Sequence, residues 1–210
     1  MKQPLVVVLD YGSGNIRSAE KALTKAGAYV KISRDKYDAL EADGLVVPGV
    51  GAFHACIAAI KNLEADRLIE QRLISNRSVL GICVGMQLMF EFGVEGGVKT
   101  AGLGQWPGTV TKLHAKVTPH MGWNQVSPGS NSRLFVGLSD QQFYFVHSYA
   151  VESFPIDQTS PLPVPVVSKT KYEHEFVSAV ENGPLSAVQF HPEKSGDAGI
   201  QLLRNWINQL

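Results

Sequence analysis

Cysteine is scarce in this chain: Cys56 and Cys83 are the only two in 210 residues. A disulfide-stapled secreted scaffold carries more of them in a shorter chain, so a reducing compartment is expected. Charge of one sign is also missing. Nineteen Lys and Arg balance nineteen Asp and Glu, and no like-charge block marks a surface for nucleic acid or lipid headgroups. Long apolar runs are lacking too. The run Leu5–Leu9 spans five residues, too few for a signal-peptide core and far below the roughly 18 of a membrane span. A cytoplasmic protein with no nucleic-acid or membrane partner is expected. The six histidines form no paired Cys/His spacing of a zinc site. His54 and Cys56 point in different directions on a helical pattern, so neither a metal nor a cofactor is expected.

What is present is enough apolar sequence, 44% of the chain, to build one sizeable core. Residues 1–210 are expected to form a single domain. In the N-terminal half short apolar runs alternate with amphipathic stretches. Strands are expected at Leu5–Leu9, Ala28–Ile32, Gly44–Val47 and Ser78–Ile82. Helices are expected from a cap at Asn15 to Ala26, with Gly27 as the stop, from Ala52 to Ser75 with a break near Asn62, and opening again over Gly85–Phe90. The pattern predicts an α/β fold, an open, mostly parallel sheet with helices on both faces. The second half is richer in Gly and Pro. Its short runs, Gly108–Leu113, Gln142–Val146, Val164–Lys169, Phe176–Glu181 and Leu185–Phe190, suggest strands, several antiparallel and at the sheet margin. Ser160–Pro165 reads as an extended loop, and Asp197–Leu210 as a closing amphipathic helix.

Gly81-Ile82-Cys83-Val84-Gly85 follows an apolar run and precedes a helical pattern. This is the spacing of a nucleophile elbow with Cys in place of Ser, where small neighbours let a tight turn form. Unpaired N–H groups at the helix start favour a thiolate, and that of Val84 can point at an oxyanion. Taken alone, Cys83 fits a packed strand end equally well. Cys56, in an alanine-rich helical stretch, reads as packing.

The elbow gains its meaning from His191-Pro192-Glu193. Positions i and i+2 of a strand face one side, so Glu193 can take the second N–H of His191 and fix its tautomer. Nucleophile, base and orienter together are what acyl transfer through a thioester requires. Pro48-Gly49-Val50-Gly51 ends the third strand, where α/β sheets bind ligands. It reads either as a simple turn or as the source of a second oxyanion donor, from Val50 or Gly51. Tyr11-Gly12-Ser13-Gly14-Asn15 carries Arg17 where a dinucleotide fingerprint has its third glycine, and reads as a turn or partner-contacting loop.

On these residues the chain resembles the triad-type, class I glutamine amidotransferases over nearly its whole length. Within them it is similar to the glutaminase subunits of imidazole glycerol phosphate synthases. The broader likeness rests on the Cys83 elbow and the His191/Glu193 pair. The narrower one rests on Tyr11-Gly12-Ser13-Gly14-Asn15, the Pro48-Gly49-Val50-Gly51 loop and Met121-Gly122-Trp123-Asn124; His120 and His147-Ser148-Tyr149 add to the general likeness. Val84 stands where that family commonly has Leu, and Ser13 where Met is frequent. The resemblance implies a three-layer sandwich fold and hydrolysis of L-glutamine to glutamate and ammonia, with glutamine held by Gln87, Glu95, Ser148, Tyr149 and the Gly51 backbone. It further implies a heterodimer with a (β/α)8-barrel cyclase that receives the ammonia for histidine biosynthesis. Asn15, Trp123, Tyr144 and Lys194 would lie at that interface; Trp123 fits an interface anchor or a core residue alike. The glycine-flanked Val50 peptide is free to flip, so turnover is expected to be slow until the liganded partner binds. Alternatives are a glutaminase subunit serving another ammonia-dependent synthase, a non-catalytic regulatory subunit, and an α/β-hydrolase. For the last, the expected order is acid before His, whereas Glu193 follows His191.

Overall fold

The computed structural model describes residues 3–155 and 164–210; most of the expected Ser160–Pro165 loop lies outside them. The first half runs β1 (Leu5–Leu9), α1 (Ile16–Ala26), β2 (Tyr29–Ser33), α2 (Lys36–Glu41), β3 (Gly44–Gly49), α3 (Phe53–Asn62), α4 (Ala65–Ile74) and β4 (Ser78–Cys83). Strands β1, β3 and β4 read as unbroken apolar runs because both their faces are covered, and Val6–Leu9 and Leu45–Val47 are wholly buried. Gly27 stops α1 in the left-handed conformation at φ 115°, its N–H donating to Leu23 O. The break expected near Asn62 falls at Leu63–Glu64, where Glu64 is also left-handed at φ 54°.

Two helix expectations need correction. Asn15 does precede α1, but its side chain makes no capping bond. Its ψ of 63° lies outside the extended region from which a cap side chain reaches the first turn. The helix expected over Gly85–Phe90 is a single turn, α5 (Val84–Gln87), after which the chain enters β5 (Phe90–Glu95). There Gly96 and Gly97, at φ 58° and 81°, make a two-residue turn that pairs Glu95 with Val98 at the start of β6 (Val98–Ala101). Positive φ at both central positions is what such a hairpin turn demands.

Beyond it lie β7 (Trp106–Lys112), β8 (His120–Gln125), β9 (Gln142–His147), β10 (Tyr149–Ala150), β11 (Val166–Tyr172), β12 (His174–Asn182), β13 (Leu185–Val188), a 3₁₀ turn at Pro192–Lys194 and α6 (Gly196–Ile207). The main sheet has the order β11-β12-β13-β4-β3-β1-β2. Its neighbours from β13 to β2 are parallel, whereas β11 and β12 are antiparallel at one margin. A second sheet, β10-β7-β5-β6, and the β8–β9 pair complete the strands.

The path from β1 through α1 to β2 runs toward one edge, while the path from β2 through α2 to β3 runs back. Right-handed crossovers therefore place α1 and α2 on opposite faces. Contacts agree: α1 packs with α6, and α4 with α2 and α3. The direction reverses between β1 and β3, so a crevice opens at the carboxyl ends of these strands. The Asp10–Asn15 and Val50–Ala52 loops meet there, beside the end of β4. No helix among the described residues is long and apolar enough to cross a membrane.

Candidate active site

Cys83 ends β4 with Gly49 of β3 as its register partner. Its φ of 56° and ψ of −113° are strained for a residue with a side chain. Close packing beneath imposes this geometry. A Cβ on Gly85 would sit 1.9 Å from the carbonyl oxygen of Val47, so only glycine allows α5 to start there. The turn pushes the Cys83 side chain off the strand, and Val84 begins α5 with no intrahelical acceptor for its N–H.

His191 follows β13, the other parallel neighbour of β4. Its N–H donates to Tyr144 O at 2.9 Å, and its carbonyl accepts from Ser195 Oγ at 2.6 Å. Glu193 Oε1 lies 2.8 Å from His191 Nδ1, and both side chains are only 4% exposed. With Nδ1 engaged, Nε2 is left for Cys83. Burial pushes the imidazole pKa down. The neighbouring Cys83 sulfur and the Glu193 carboxylate outweigh it, and the value rises to about 9. The ring is thus poised as imidazolium beside the sulfur at neutral pH.

These groups open onto a cleft of about 360 Å³ whose wall includes Val50, Gly51, Val84, Gln87, Glu95, Ser148 and Tyr149. All the expected oxyanion and glutamine-holding residues therefore meet around Cys83. Glu95 is anchored within this wall: its Oε2 accepts the Phe53 N–H at 2.8 Å, which fixes the carboxylate at the start of α3.

Gln87 is more committed than its spacing suggests. Its Nε2 donates to Tyr149 O at 2.9 Å and to Gln189 Oε1 at 3.0 Å, so toward the cleft it offers only its oxygen. Val50 is held in the same way. Its N–H donates to Ser13 Oγ at 3.3 Å, while its carbonyl accepts from Ser13 Oγ at 2.7 Å and from Cys56 Sγ at 3.4 Å. The peptide expected to help an oxyanion is engaged elsewhere in this conformation. Cys56, read as packing, is buried and also takes part in this clasp.

Of the expected interface residues, three stand together. The Trp123 ring, 53% exposed and so not core, meets the Tyr144 ring edge-on at 5.9 Å; Lys194 Nζ lies 5.9 Å over Tyr144. Asn15 is set apart, on a small recess it shares with His191 and Glu193.

Sequence reasoning missed Gln189, whose Nε2 lies 3.8 Å from Cys83 Sγ. It stands two positions before His191, and the period of an extended chain was the available signal. It missed the buried His120–His147 pair as well. His120 Nδ1 lies 3.2 Å from His147 Nε2, and His147 Nδ1 lies 3.0 Å from Tyr149 O. Burial pushes the pKa of His120 down to about 4 and that of His147 to about 3, so both rings are neutral at pH 7.

The family model described as glutamine amidotransferase class-I matches residues 7–210. The chain is 58% identical to the imidazole glycerol phosphate synthase subunit HisH of Thermobifida fusca (strain YX), over 99% of this chain and all of that protein. It is also 58% identical to the protein of the same name from Leifsonia xyli subsp. xyli, over the whole of both. Among solved structures, PurLQS from Thermotoga maritima aligns with TM-score 0.74 at 15% identity, covering 99% of each chain. A glutamine amidotransferase crystal structure aligns with TM-score 0.73 at 17% identity, over 98% of this chain and 99% of that one. These two likenesses establish the fold, and the sequence matches establish more: the chain belongs to the class I glutamine amidotransferase family.

Proposed function

We infer that this chain is the glutaminase subunit of an imidazole glycerol phosphate synthase, one domain over residues 1–210 that works in the cytoplasm. The observation that carries the reading is the pair of buried Cys83 and His191 on the cleft wall, with Glu193 bonded to the imidazole from behind. End-to-end identity of 58% with synthase subunits supports the choice of pathway over another ammonia-dependent synthase.

In this reading the Cys83 thiolate attacks the side-chain carboxamide carbon of L-glutamine. The oxyanion is met by the N–H of Val84 and, once the loop rearranges, by that of Val50 or Gly51. His191 gives its proton to the leaving nitrogen, and ammonia departs from a γ-glutamyl thioester. His191 then accepts a proton from water, which attacks the thioester and releases glutamate. Glu193 holds the ring tautomer and stabilises the imidazolium. Glu95 complements the substrate ammonium; Gln87, Ser148, Tyr149 and the Gly51 backbone hold the rest of the amino acid.

The ammonia passes to a (β/α)8-barrel partner docked over Trp123, Tyr144, Lys194 and Asn15. An exposed Trp set edge-on to a Tyr has the aromatic composition of an interface centre, with Lys194 at its rim. The test is labelling with an electrophilic glutamine analogue followed by peptide mass analysis. One adduct, on Cys83 and absent when glutamine competes, is expected. An unlabelled Cys83 in the partner complex would overturn the reading.

A further inference from the structure

The Cys83 sulfur has a second polar neighbour besides the triad imidazole. Gln189, 1% exposed, directs Nε2 at Sγ from 3.8 Å. At this distance a sulfur still accepts a hydrogen bond, and a thiolate accepts far more strongly than a thiol.

The direction of the Gln189 carboxamide follows from its surroundings. The two hydrogens on Gln87 Nε2 go to Tyr149 O and to Gln189 Oε1. Tyr149 O also takes the Nδ1 hydrogen of His147, whose Nε2 faces His120 Nδ1. Asn124 Nδ2 closes the far end at 3.2 Å from His120 Nε2. Turning the Gln189 amide over would set its N–H against that of Gln87 and point an oxygen at the sulfur, two buried repulsions at once.

We propose that Gln189 is a further catalytic residue, donating Nε2–H to the Cys83 sulfur so as to stabilise the thiolate and hold it facing the cleft, with Gln87 as the positioning residue that orients the amide. The inference rests on the glutaminase reading of Cys83. It gives the nucleophile two partners: an imidazolium that supplies charge and a proton, and a neutral donor that stays in place after the proton has left with ammonia.

The test is the pH dependence of Cys83 alkylation by iodoacetamide in the full-length chain, read by peptide mass so that Cys56 is followed separately. The titratable groups around the sulfur are His191 with Glu193 behind it, Tyr11, and His147, Tyr149, Glu95 and Lys194 on the cleft wall. None of them changes in the variants. Gln189→Met keeps the bulk and removes the donor. The alkylation midpoint is expected to rise by about one pH unit, a tenfold loss of thiolate at a given pH below it. Gln189→Glu is isosteric, still accepts from Gln87 and places an acceptor at the sulfur, so a larger rise is expected. Gln87→Met should give a smaller rise in the same direction.

Wild-type midpoints in Gln189→Met and Gln189→Glu would overturn the proposal and leave Gln189 a packing residue. Should Gln189→Met fail to fold, a midpoint of Gln189→Glu at or below wild type overturns it alone. Failure of the underlying reading looks different: wild-type Cys83 would then resist the glutamine analogue whatever stands at position 189.

Discussion

His191 is pulled in two directions. Burial favours the neutral ring, while Cys83 and Glu193 favour the imidazolium and prevail, taking the pKa to about 9. A folded-state pKa above the ordinary value of about 6.5 stabilises the fold fully below that pH, and the contribution fades as pH rises through about 9. In the proposed mechanism the same proton serves the leaving nitrogen. Glutamine kcat/KM in the partner complex is therefore expected to hold through neutral pH and fall above about pH 9. In Glu193→Gln the alkaline limb should move toward lower pH and kcat should drop; an unmoved limb would separate Glu193 from the proton transfer. Gly85 makes a steric prediction. A methyl group there collides with backbone rather than with a movable side chain. Gly85→Ala should lose about 3 kcal/mol in denaturant unfolding.

Between elements, the decisive contact is that of the β1 loop with the β3 loop. Ser13 grips both the N–H and the carbonyl of Val50. One oxyanion donor contributes roughly 3 kcal/mol, about a hundredfold in rate. Ser13→Ala frees that N–H, so partner-free ammonia release should rise severalfold, and an unchanged basal rate would contradict the clasp. The β8–β9 pair is joined by His120 and His147, both neutral. Their folded pKa values lie below the ordinary one, so their contribution to stability is present above about pH 6.5 and is lost as pH falls toward 4 and 3. The unfolding midpoint should decline across that range, and more shallowly in His120→Phe.

Element type was legible where burial is two-sided or periodicity runs long: β1, β3, β4, α1 and α6 stand within a few residues of expectation. It failed at Leu88–Phe90, where an apolar run after the elbow looks helical by itself. There Leu88 and Met89 make a turn, and β5 begins at Phe90, held by the partner strand β7 and the Gly96-Gly97 turn. The short β10 and the edge strand β6 carry no pattern apart from the strands they pair with.

At the scale of the molecule, the site exists only because the sheet brings distant segments to one edge. Cys83, His191 and the Val50 loop come from the carboxyl ends of β4, β13 and β3, and Glu193 follows His191. Their chemical types and spacings made the triad visible in sequence. Gln189, His120 and Ser13 were not visible as a network, because their meaning lies in contacts across 106, 27 and 37 positions. The group of exposed Trp123 and Lys194 around half-buried Tyr144 lies close to His191 through the bond from its N–H to Tyr144 O. A partner docked on that group would sit within reach of His191.

The most direct measurement is ammonia and glutamate release from L-glutamine by the wild-type chain and by Cys83→Ala, each alone and with the liganded synthase barrel. Stoichiometric ammonia and glutamate from wild type are predicted, rising about a hundredfold with the partner as the second oxyanion donor is recruited, with none from Cys83→Ala in either state. Turnover by Cys83→Ala comparable to wild type would contradict the account.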